Sequence, residues 1–259
     1  MKHIIPTLLR LSLLIFFVAF ITKPEWFTSL LAPLAPNGAP VIYERDSLLT
    51  LTLLHMRTVI IATSAATVLA LGLAILVTRP FGREFLPLSR SLVNIGQTFP
   101  PVAVLALAVP AFGFGEKPTL IALFLYGLLP IFENSLTGLT TLPPAVTEAA
   151  RGVGMTPWQR LIKIELPLCI PVILGGIKLS AVIGLSTATI GSTVAARTLG
   201  EVIIAGLTAN NLAYVLQGGL IVSALAVLIY DGLSLLERLA ARRENPPKIN
   251  RPKPPQGRN

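Results

Sequence analysis

Six apolar stretches, each long enough to cross a lipid bilayer, constrain this chain more than any other feature. A membrane-spanning helix needs about 20 largely apolar residues in a row. Windows of that length select 4–22, 58–78, 91–112, 118–139, 171–195 and 212–236. Only 13% of the 259 residues are charged, against about 25% in soluble domains, and the mean hydropathy is +0.74. We predict an all-α, polytopic membrane protein with about six transmembrane helices.

The first stretch could be a secretory signal peptide or a retained helix. It reaches Ile21 without an Ala-x-Ala-like cleavage site before Lys23. Such a small-residue site marks a cleaved signal peptide. We therefore expect this stretch to stay as the first helix.

The positions of the basic residues predict which side of the membrane each loop faces. Lys and Arg accumulate in cytoplasmic loops, whereas acidic residues have little effect on topology. Of the 21 Lys and Arg residues, fourteen fall on one side and five on the other, and Arg10 and Lys178 lie inside predicted helices. This split predicts that both termini are cytoplasmic. It also accounts for the net charge of +9 without a nucleic-acid partner.

Composition divides the chain into three parts. Residues 23–57 are polar and proline-bearing, and we predict short interfacial pieces there without a core. The parts are an N-terminal helix with its external loop over 1–46, a helical membrane domain over 47–240, and a basic tail over 241–259. The proline-rich tail cannot bury apolar surface, which predicts disorder.

Small residues recur every four positions in the second and fifth stretches. Helices in lipid associate through van der Waals contact, and small side chains let their backbones approach closely. We therefore expect both helices to face other helices. The positions are Ala62, Ala66, Ala70 and Ala74, and Gly176, Ser180, Gly184, Ala188, Ser192 and Ala196.

Prolines interrupt the third and fourth stretches, at Pro100, Pro101, Pro110 and Pro130. Irregular backbone at membrane depth occurs only where protein or a water-filled cavity surrounds it. We therefore predict a translocation pathway beside these breaks. The candidate pathway residues are Asn94, Gln97, Glu133 and Asn134. Alternatively, the amides of the third stretch bond neighbouring helices, and Glu133 lies near an aqueous end without a function.

Residue types that carry most enzyme chemistry are scarce. A single cysteine excludes an intrachain disulfide, and two histidines without carboxylate or cysteine clusters give no metal site to predict. Nor do a nucleophile, a base and an orienting residue come together in the sequence. We predict no catalytic site, no metal and no cofactor.

The loop between the fourth and fifth stretches, residues 140–170, predicts two short helices. Pro143 and Pro144 favour the start of the first helix, and Gly152 or Gly154 favours its end. Each feature is typical of a helix terminus.

The second short helix has a sharper predicted start. Thr156 and Gln159 have the spacing of a capping box, with Pro157 at the first helical position between them. Pro167 is expected to end this helix.

Seven positions of the loop share a fixed spacing. Glu-Ala-Ala is followed after three residues by Gly, and after nine more by Ile-x-Leu-Pro. The positions are Glu148, Ala149, Ala150, Gly154, Ile164, Leu166 and Pro167. This pattern resembles the EAA loop of ABC importer permeases, and it matches at every fixed position.

The resemblance implies a type I ABC importer bundle in a bacterial inner membrane. In that family the loop docks as a coupling helix on a pair of ATP-binding subunits. Three small residues would allow close approach there: Ala149, Ala150 and Gly154. Glu148 would make a polar contact with the same partner, and the Ile-x-Leu-Pro residues would hold the loop against the bundle.

The resemblance also implies how the work is divided among subunits. ATP would be bound by the partner, since this chain has no G-x-x-x-x-G-K-[ST] motif. The other implied partners are a second permease subunit, identical or sister, a substrate-binding protein and membrane lipid.

Within this family the chain is similar to permeases of osmoprotectant importers, which carry glycine betaine, choline or carnitine. The similarity extends over about 47–240 and is most specific at 96–106, 113–115 and 129–134. Two alternatives stay open. One is a permease for a sulfonate, nitrate or an amino acid. The other is an ion-driven secondary transporter, which would need inverted repeats and matching intramembrane carboxylates.

Overall fold

The computed structural model describes residues 4–244, with side chains for residues 10–241, and every regular element in that part of the chain is helical. The α-helices are α1 (Ile4–Thr22), α2 (Thr28–Leu31), α3 (Leu48–Thr78), α4 (Leu86–Thr98), α5 (Pro101–Phe112), α6 (Glu116–Thr140), α7 (Pro144–Gly152), α8 (Pro157–Arg160), α9 (Leu166–Ile190), α10 (Gly200–Thr208) and α11 (Leu212–Glu244). The prediction of an all-α fold is confirmed.

Four unbroken helical runs are long and apolar enough to cross a membrane: Leu48–Thr78, Glu116–Thr140, Pro157–Val194 and Leu212–Ala241. Two further candidates are bent pairs. Arg10–Thr22 meets Pro24–Leu34 at 108°, and Arg83–Thr98 meets Pro101–Phe112 at 97°. If each bent pair is one span, the described residues hold six spans, in agreement with the prediction.

The centre of the bundle is built on the two series of small residues. α6 packs against both α3 and α9, and α11 packs against α9. Ala66 and Ala74 are fully buried. A Cβ atom at Gly127 of α6 would lie 3.2 Å from Cβ of Ala66 and 2.6 Å from Oγ of Ser180. The backbones therefore approach closely because both neighbours are small, which confirms that α3 and α9 face other helices.

Helix α3 begins at Leu48, ten residues before the predicted start at 58. Ser47 caps it, since its side chain accepts a hydrogen bond from the backbone N–H of Thr50. Polar side chains in the added turns have partners within the bundle. His55 is fully buried, and its Nε2 lies 3.1 Å from the carbonyl oxygen of Leu185. This contact gives the buried imidazole of His55 a polar partner on α9.

The expectation that residues 23–57 contribute no core is wrong. Leu31 and Tyr43 are buried, at 2% and 3% exposure, and belong to the same apolar cluster as α1 and α11. The Phe27 ring packs edge-on against Phe20 of α1, with centroids 4.9 Å apart. Aromatic packing of this kind stabilises the bend after α1.

Gln217 of α11 and Asn211, the residue before α11, hold the segment between α2 and α3 by its backbone. Gln217 is fully buried. Its Oε1 accepts from the N–H of Tyr43 at 3.1 Å, and its Nε2 donates to the carbonyl of Val41 at 2.8 Å. Asn211 donates to the carbonyl of Pro40 at 2.9 Å. A loop without regular structure thereby satisfies its buried backbone groups.

The phenol of Tyr43 extends this contact to α10. Its hydroxyl donates to Oε1 of Glu201 at 2.8 Å. Burial raises the pKa of Tyr43 above its ordinary value, and the hydrogen bond to the Glu201 carboxylate raises this pKa further. The phenol therefore stays protonated and serves as a donor.

Helix α1 is joined to α11 by an ion pair at the surface of the bundle. Nε of Arg10 is 2.8 Å from Oδ2 of Asp231. Helix α11 continues to Glu244, past the predicted start of the tail at 241, and residues 245–259 lie outside the described residues.

Candidate functional site

The loop between α6 and α9 contains the two short helices that were predicted. Helix α7 spans Pro144–Gly152, and the chain turns through Gly154, whose φ is +80°. The capping box of α8 is present. The Thr156 hydroxyl accepts from the N–H of Gln159 at 3.2 Å, and the Gln159 side chain accepts from the N–H of Thr156 at 3.0 Å. The local rules of helix initiation therefore operate as expected here.

The prediction that Pro167 ends the second helix is wrong. Helix α8 passes through a π-helical turn, Leu161–Glu165, into α9. The widened turn changes the hydrogen-bond register directly before Pro167, which lies in the first turn of α9. The missing proline N–H is tolerated in that position. The end of the loop is therefore continuous with a membrane-spanning helix.

The small residues of the motif do not share one environment. Glu148, Ala149 and Gly154 are exposed, whereas Ala150 is 5% exposed and packs inside its own chain. The predicted close approach to a partner is therefore open to Ala149 and Gly154, and not to Ala150. The correction follows from helical geometry, because α7 lies with one face against the bundle and Ala150 is on that face.

Two large apolar side chains near these residues are exposed. Val153 and Trp158 have 75% and 67% of their surface accessible. We call Ala149, Val153 and Trp158 the coupling face. Exposed apolar side chains on a polar loop indicate an interaction surface. The sequence motif has no fixed residue at Val153 or Trp158, and their apolar character within a polar loop was the available signal.

The three anchor residues of the motif lie where the loop joins the bundle. Leu166 packs against the apolar cluster formed by α3, α6 and α9. Ile164 and Pro167 border an apolar cleft of about 890 Å³ that Val146 of α7 and Leu236 of α11 also line. Leu166 therefore makes the firmest contact, while Pro167 is exposed at the surface.

A buried carboxylate that sequence reasoning missed ties the loop to α3. Glu165 is 4% exposed. Its Oε2 lies 2.6 Å from Nη2 of Arg79, the residue after α3, and its Oε1 lies 2.7 Å from Nε of Arg160. Glu165 occupies the unspecified position between Ile164 and Leu166. It is the one acidic residue between positions 149 and 200, and that isolation was the signal.

Gln97 contacts α6 at the proline break. Because Pro130 has no N–H, the carbonyl of Tyr126 loses its partner within the helix. Nε2 of Gln97 donates to this carbonyl at 3.1 Å. The Tyr126 hydroxyl in turn donates to the carbonyl of Phe99. These two hydrogen bonds join the bend between α4 and α5 to α6 near Pro130. The side-chain amide of Gln97 therefore bonds a neighbouring helix, which is the alternative stated for it above.

The other candidate pathway residues lie on different surfaces. Asn94 is exposed on α4, one turn before Gln97. Oε1 of Glu133 lies 3.2 Å from Nε of Arg90 on α4. Nδ2 of Asn134 donates to the carbonyl of Pro130 at 2.8 Å, and its Cβ faces Gly176 of α9. Glu133 and Asn134 therefore point to opposite neighbours of α6, and the four residues do not converge within this protomer.

Comparisons with known proteins agree with this geometry. The family described as binding-protein-dependent transport system inner membrane component matches residues 66–242. The osmoprotectant import permease protein OsmY of Salmonella typhimurium is 39% identical over 179 residues, which are 69% of this chain and 75% of that protein. The glycine betaine/carnitine/choline transport system permease protein OpuCB of Bacillus subtilis is 32% identical over 205 residues, 79% and 90% of the two chains.

The fold is shared with a solved transporter. An inward-facing structure of the MetNI methionine ABC transporter superposes with a TM-score of 0.67 over 74% of this chain and 95% of that chain, at 19% identity. This likeness concerns the fold, and it confirms the predicted type of helical bundle. With the matched region spanning α3 to α11 and the relatives above, the chain belongs to the family of binding-protein-dependent inner membrane components, as a multi-pass permease subunit of an ABC importer.

Proposed function

We propose that this permease subunit moves a small quaternary-amine osmoprotectant, such as glycine betaine, choline or carnitine, into the cytoplasm by alternating access. A pair of ATP-binding subunits drives the movement by closing against the coupling face. The observation that carries the proposal is the exposed coupling face on a loop that is continuous with α9. The similarity to the osmoprotectant permease OsmY and to the glycine betaine/carnitine/choline permease OpuCB supports the substrate class.

The coupling face has the character of a docking surface. Val153 and Trp158 expose apolar surface, and the exposed Ala149 offers little side-chain bulk. Burial of apolar surface contributes about 25 cal/mol per Å², so two large side chains supply much of the affinity of a small contact. Glu148 lies at the rim, where a charge affects orientation and association rate more than affinity.

Force applied to this face has a direct route into the bundle. The π turn makes α8 continuous with α9, and the Glu165 carboxylate joins the loop to the end of α3 through Arg79. Buried ion pairs of this kind hold one geometry because separation leaves a charge without its partner. Movement of the loop is therefore passed to α3 and α9 together.

The remaining parts of the importer complete the proposal. A substrate-binding protein delivers the osmoprotectant at the outer side, and a second permease subunit, identical or sister, completes the pathway. Residues 47–240 form the transport domain, with both termini in the cytoplasm, which the distribution of basic residues supports. Gln97, Asn94, Glu133 and Asn134 line or support the route of the substrate.

The test is uptake into proteoliposomes that contain the permease and its ATP-binding subunits, with the binding protein outside and ATP inside. Labelled glycine betaine, choline and carnitine are compared with a sulfonate, nitrate and an amino acid. We expect ATP-dependent uptake of at least one of the three quaternary amines, and no uptake of the sulfonate, nitrate or the amino acid. Uptake driven by an ion gradient without ATP would contradict the coupling mechanism. ATP-dependent uptake of another solute class would contradict the substrate assignment alone.

A further inference from the structure

A cleft of about 560 Å³ lies between the end of α3 and the loop that joins α6 to α9. None of the coupling-face residues lines it. Four arginines line it, and Glu165 is the one carboxylate among its described lining residues. The arginines are Arg79, Arg83, Arg151 and Arg160. The cleft therefore has a pronounced excess of positive charge.

The four guanidinium groups of the cleft face one carboxylate. Each oxygen of Glu165 is occupied, one by Nη2 of Arg79 and one by Nε of Arg160. Nε of Arg79 is buried and has no acceptor within the described part of the chain. A guanidinium carries five N–H donors and no acceptor. What is missing from the cleft is a group that only accepts hydrogen bonds.

The two outer arginines are available to such a group. Arg83 and Arg151 are exposed at the mouth, and among the described side chains neither has a carboxylate within ion-pair distance. Pro144, Thr147 and Arg151 line the cleft from α7. Their spacing of three and four residues puts them on one face of that helix, which differs from the face that exposes Ala149. The cleft is therefore a lateral pocket rather than an extension of the docking surface.

We propose that this cleft binds a phosphate-bearing anion between Arg79, Arg83 and Arg151, with Arg160 held in place by Glu165. Phosphate presents several acceptor oxygens and no permanent donor, and guanidinium groups bind it bidentately. The same chemistry is offered by a free phosphate ester of the cytoplasm and by the headgroup of an anionic phospholipid. The assignment rests on this chain alone, and it does not depend on the transported solute.

The experiment uses the full permease chain in phosphatidylcholine nanodiscs and in nanodiscs with phosphatidylglycerol. Inorganic phosphate is titrated calorimetrically at constant ionic strength set with chloride, and retained phosphatidylglycerol is counted by native mass spectrometry. The test variant is Arg83→Gln with Arg151→Gln, which spares the ion pairs of Glu165. The matched control is Arg45→Gln with Lys117→Gln, which removes two exposed charges elsewhere.

Saturable binding of phosphate, weakened at least tenfold in the test variant and unchanged in the control, supports the site with a free anion as its ligand. Retention of phosphatidylglycerol by the wild type and the control, and its loss from the test variant, supports the site with a lipid headgroup as its ligand. Equal effects in both variants, or no binding by either probe, would overturn the proposal.

Discussion

Nη2 of Arg79, the first residue after α3, lies 2.6 Å from Oε2 of Glu165, in the π turn before α9. The carboxylate is 4% exposed and also pairs with Arg160. Arg79 and Glu165 are 86 positions apart in the sequence, so this buried ion pair joins the end of α3 to the loop before α9. The contact makes the loop a rigid extension of the bundle instead of a flexible linker.

Neutralising this carboxylate should destabilise the permease. Glu165→Gln leaves two largely buried guanidinium groups facing each other, and breaking a buried pair costs about 3–5 kcal/mol. We expect a loss of about 3 kcal/mol in the free energy of unfolding, measured by denaturant titration in mixed micelles. Glu148→Gln, in the same loop but exposed, is the control. Equal stability of the two variants would show that the buried pair contributes nothing.

The contact between Gln97 and the Tyr126 carbonyl predicts a specific non-additivity. Gln97→Leu leaves this carbonyl without a donor, at a cost of about 1–3 kcal/mol. In a Pro130→Ala background the restored backbone N–H can donate to the same carbonyl, so Gln97→Leu should cost less than about 1 kcal/mol. A double-mutant cycle on the free energy of unfolding measures the difference. The same cost in both backgrounds would rule out this explanation of Gln97.

Backbone conformation at Gly154 predicts which substitutions the loop accepts. Its φ is +80°, a left-handed conformation that costs other residues about 1–2 kcal/mol but that Asn tolerates. Gly154→Val should reduce recovery of the ATP-binding subunit in co-purification, and Gly154→Asn should retain it. The control is Gly38→Val, because Gly38 has a similar φ of +78° but lies between α2 and α3, outside this loop. A parallel loss in that control would point to general misfolding rather than docking.

Titration of Tyr43 tests the hydrogen bond by which its hydroxyl joins the segment between α2 and α3 to Glu201 of α10. Its pKa is raised above 10.0 by burial and by Glu201. The stabilisation linked to the bound proton is therefore complete below pH 10 and is lost as the pH rises through the raised pKa. Tyrosinate absorbance of the wild type and of Tyr43→Phe should coincide up to about pH 10, the ordinary tyrosine value. A smaller signal from the variant at that pH would mean that Tyr43 titrates normally.

Features governed by local spacing could be predicted from the sequence. The series Ala62 to Ala74 predicts a packed helix because its period matches one helical face. The Thr156–Gln159 capping box depends on residues three positions apart. Both could be recognised because the pattern that predicts each of them lies within one segment of the chain.

Features that depend on distant partners could not be predicted in the same way. Pro167 follows a π turn, and no local sequence rule predicts the change in backbone hydrogen-bond register that this turn introduces. Glu165 is buried because Arg79 arrives from α3, and residues 40–43 are ordered because Gln217 satisfies their backbone. A polar residue within an apolar run shows that a partner is needed, but it does not identify that partner.

Ala150→Asp is a poor probe of docking, since Ala150 is buried in its own chain. A carboxylate placed there without a partner would destabilise the permease itself. The exposed Ala149 avoids this difficulty. A large side chain at Ala149 changes only an exposed surface of this chain.

ATP-driven uptake of labelled glycine betaine by proteoliposomes containing Ala149→Tyr tests the coupling face most directly. Overpacking a close contact costs about 1–3 kcal/mol, so we expect uptake to fall at least about tenfold, which corresponds to about 1.4 kcal/mol. The amount of permease in the vesicles should be unchanged. Ser29→Tyr, at an exposed position of α2, should transport like the wild type. Wild-type uptake by Ala149→Tyr would contradict the assignment of this face to the ATP-binding subunits.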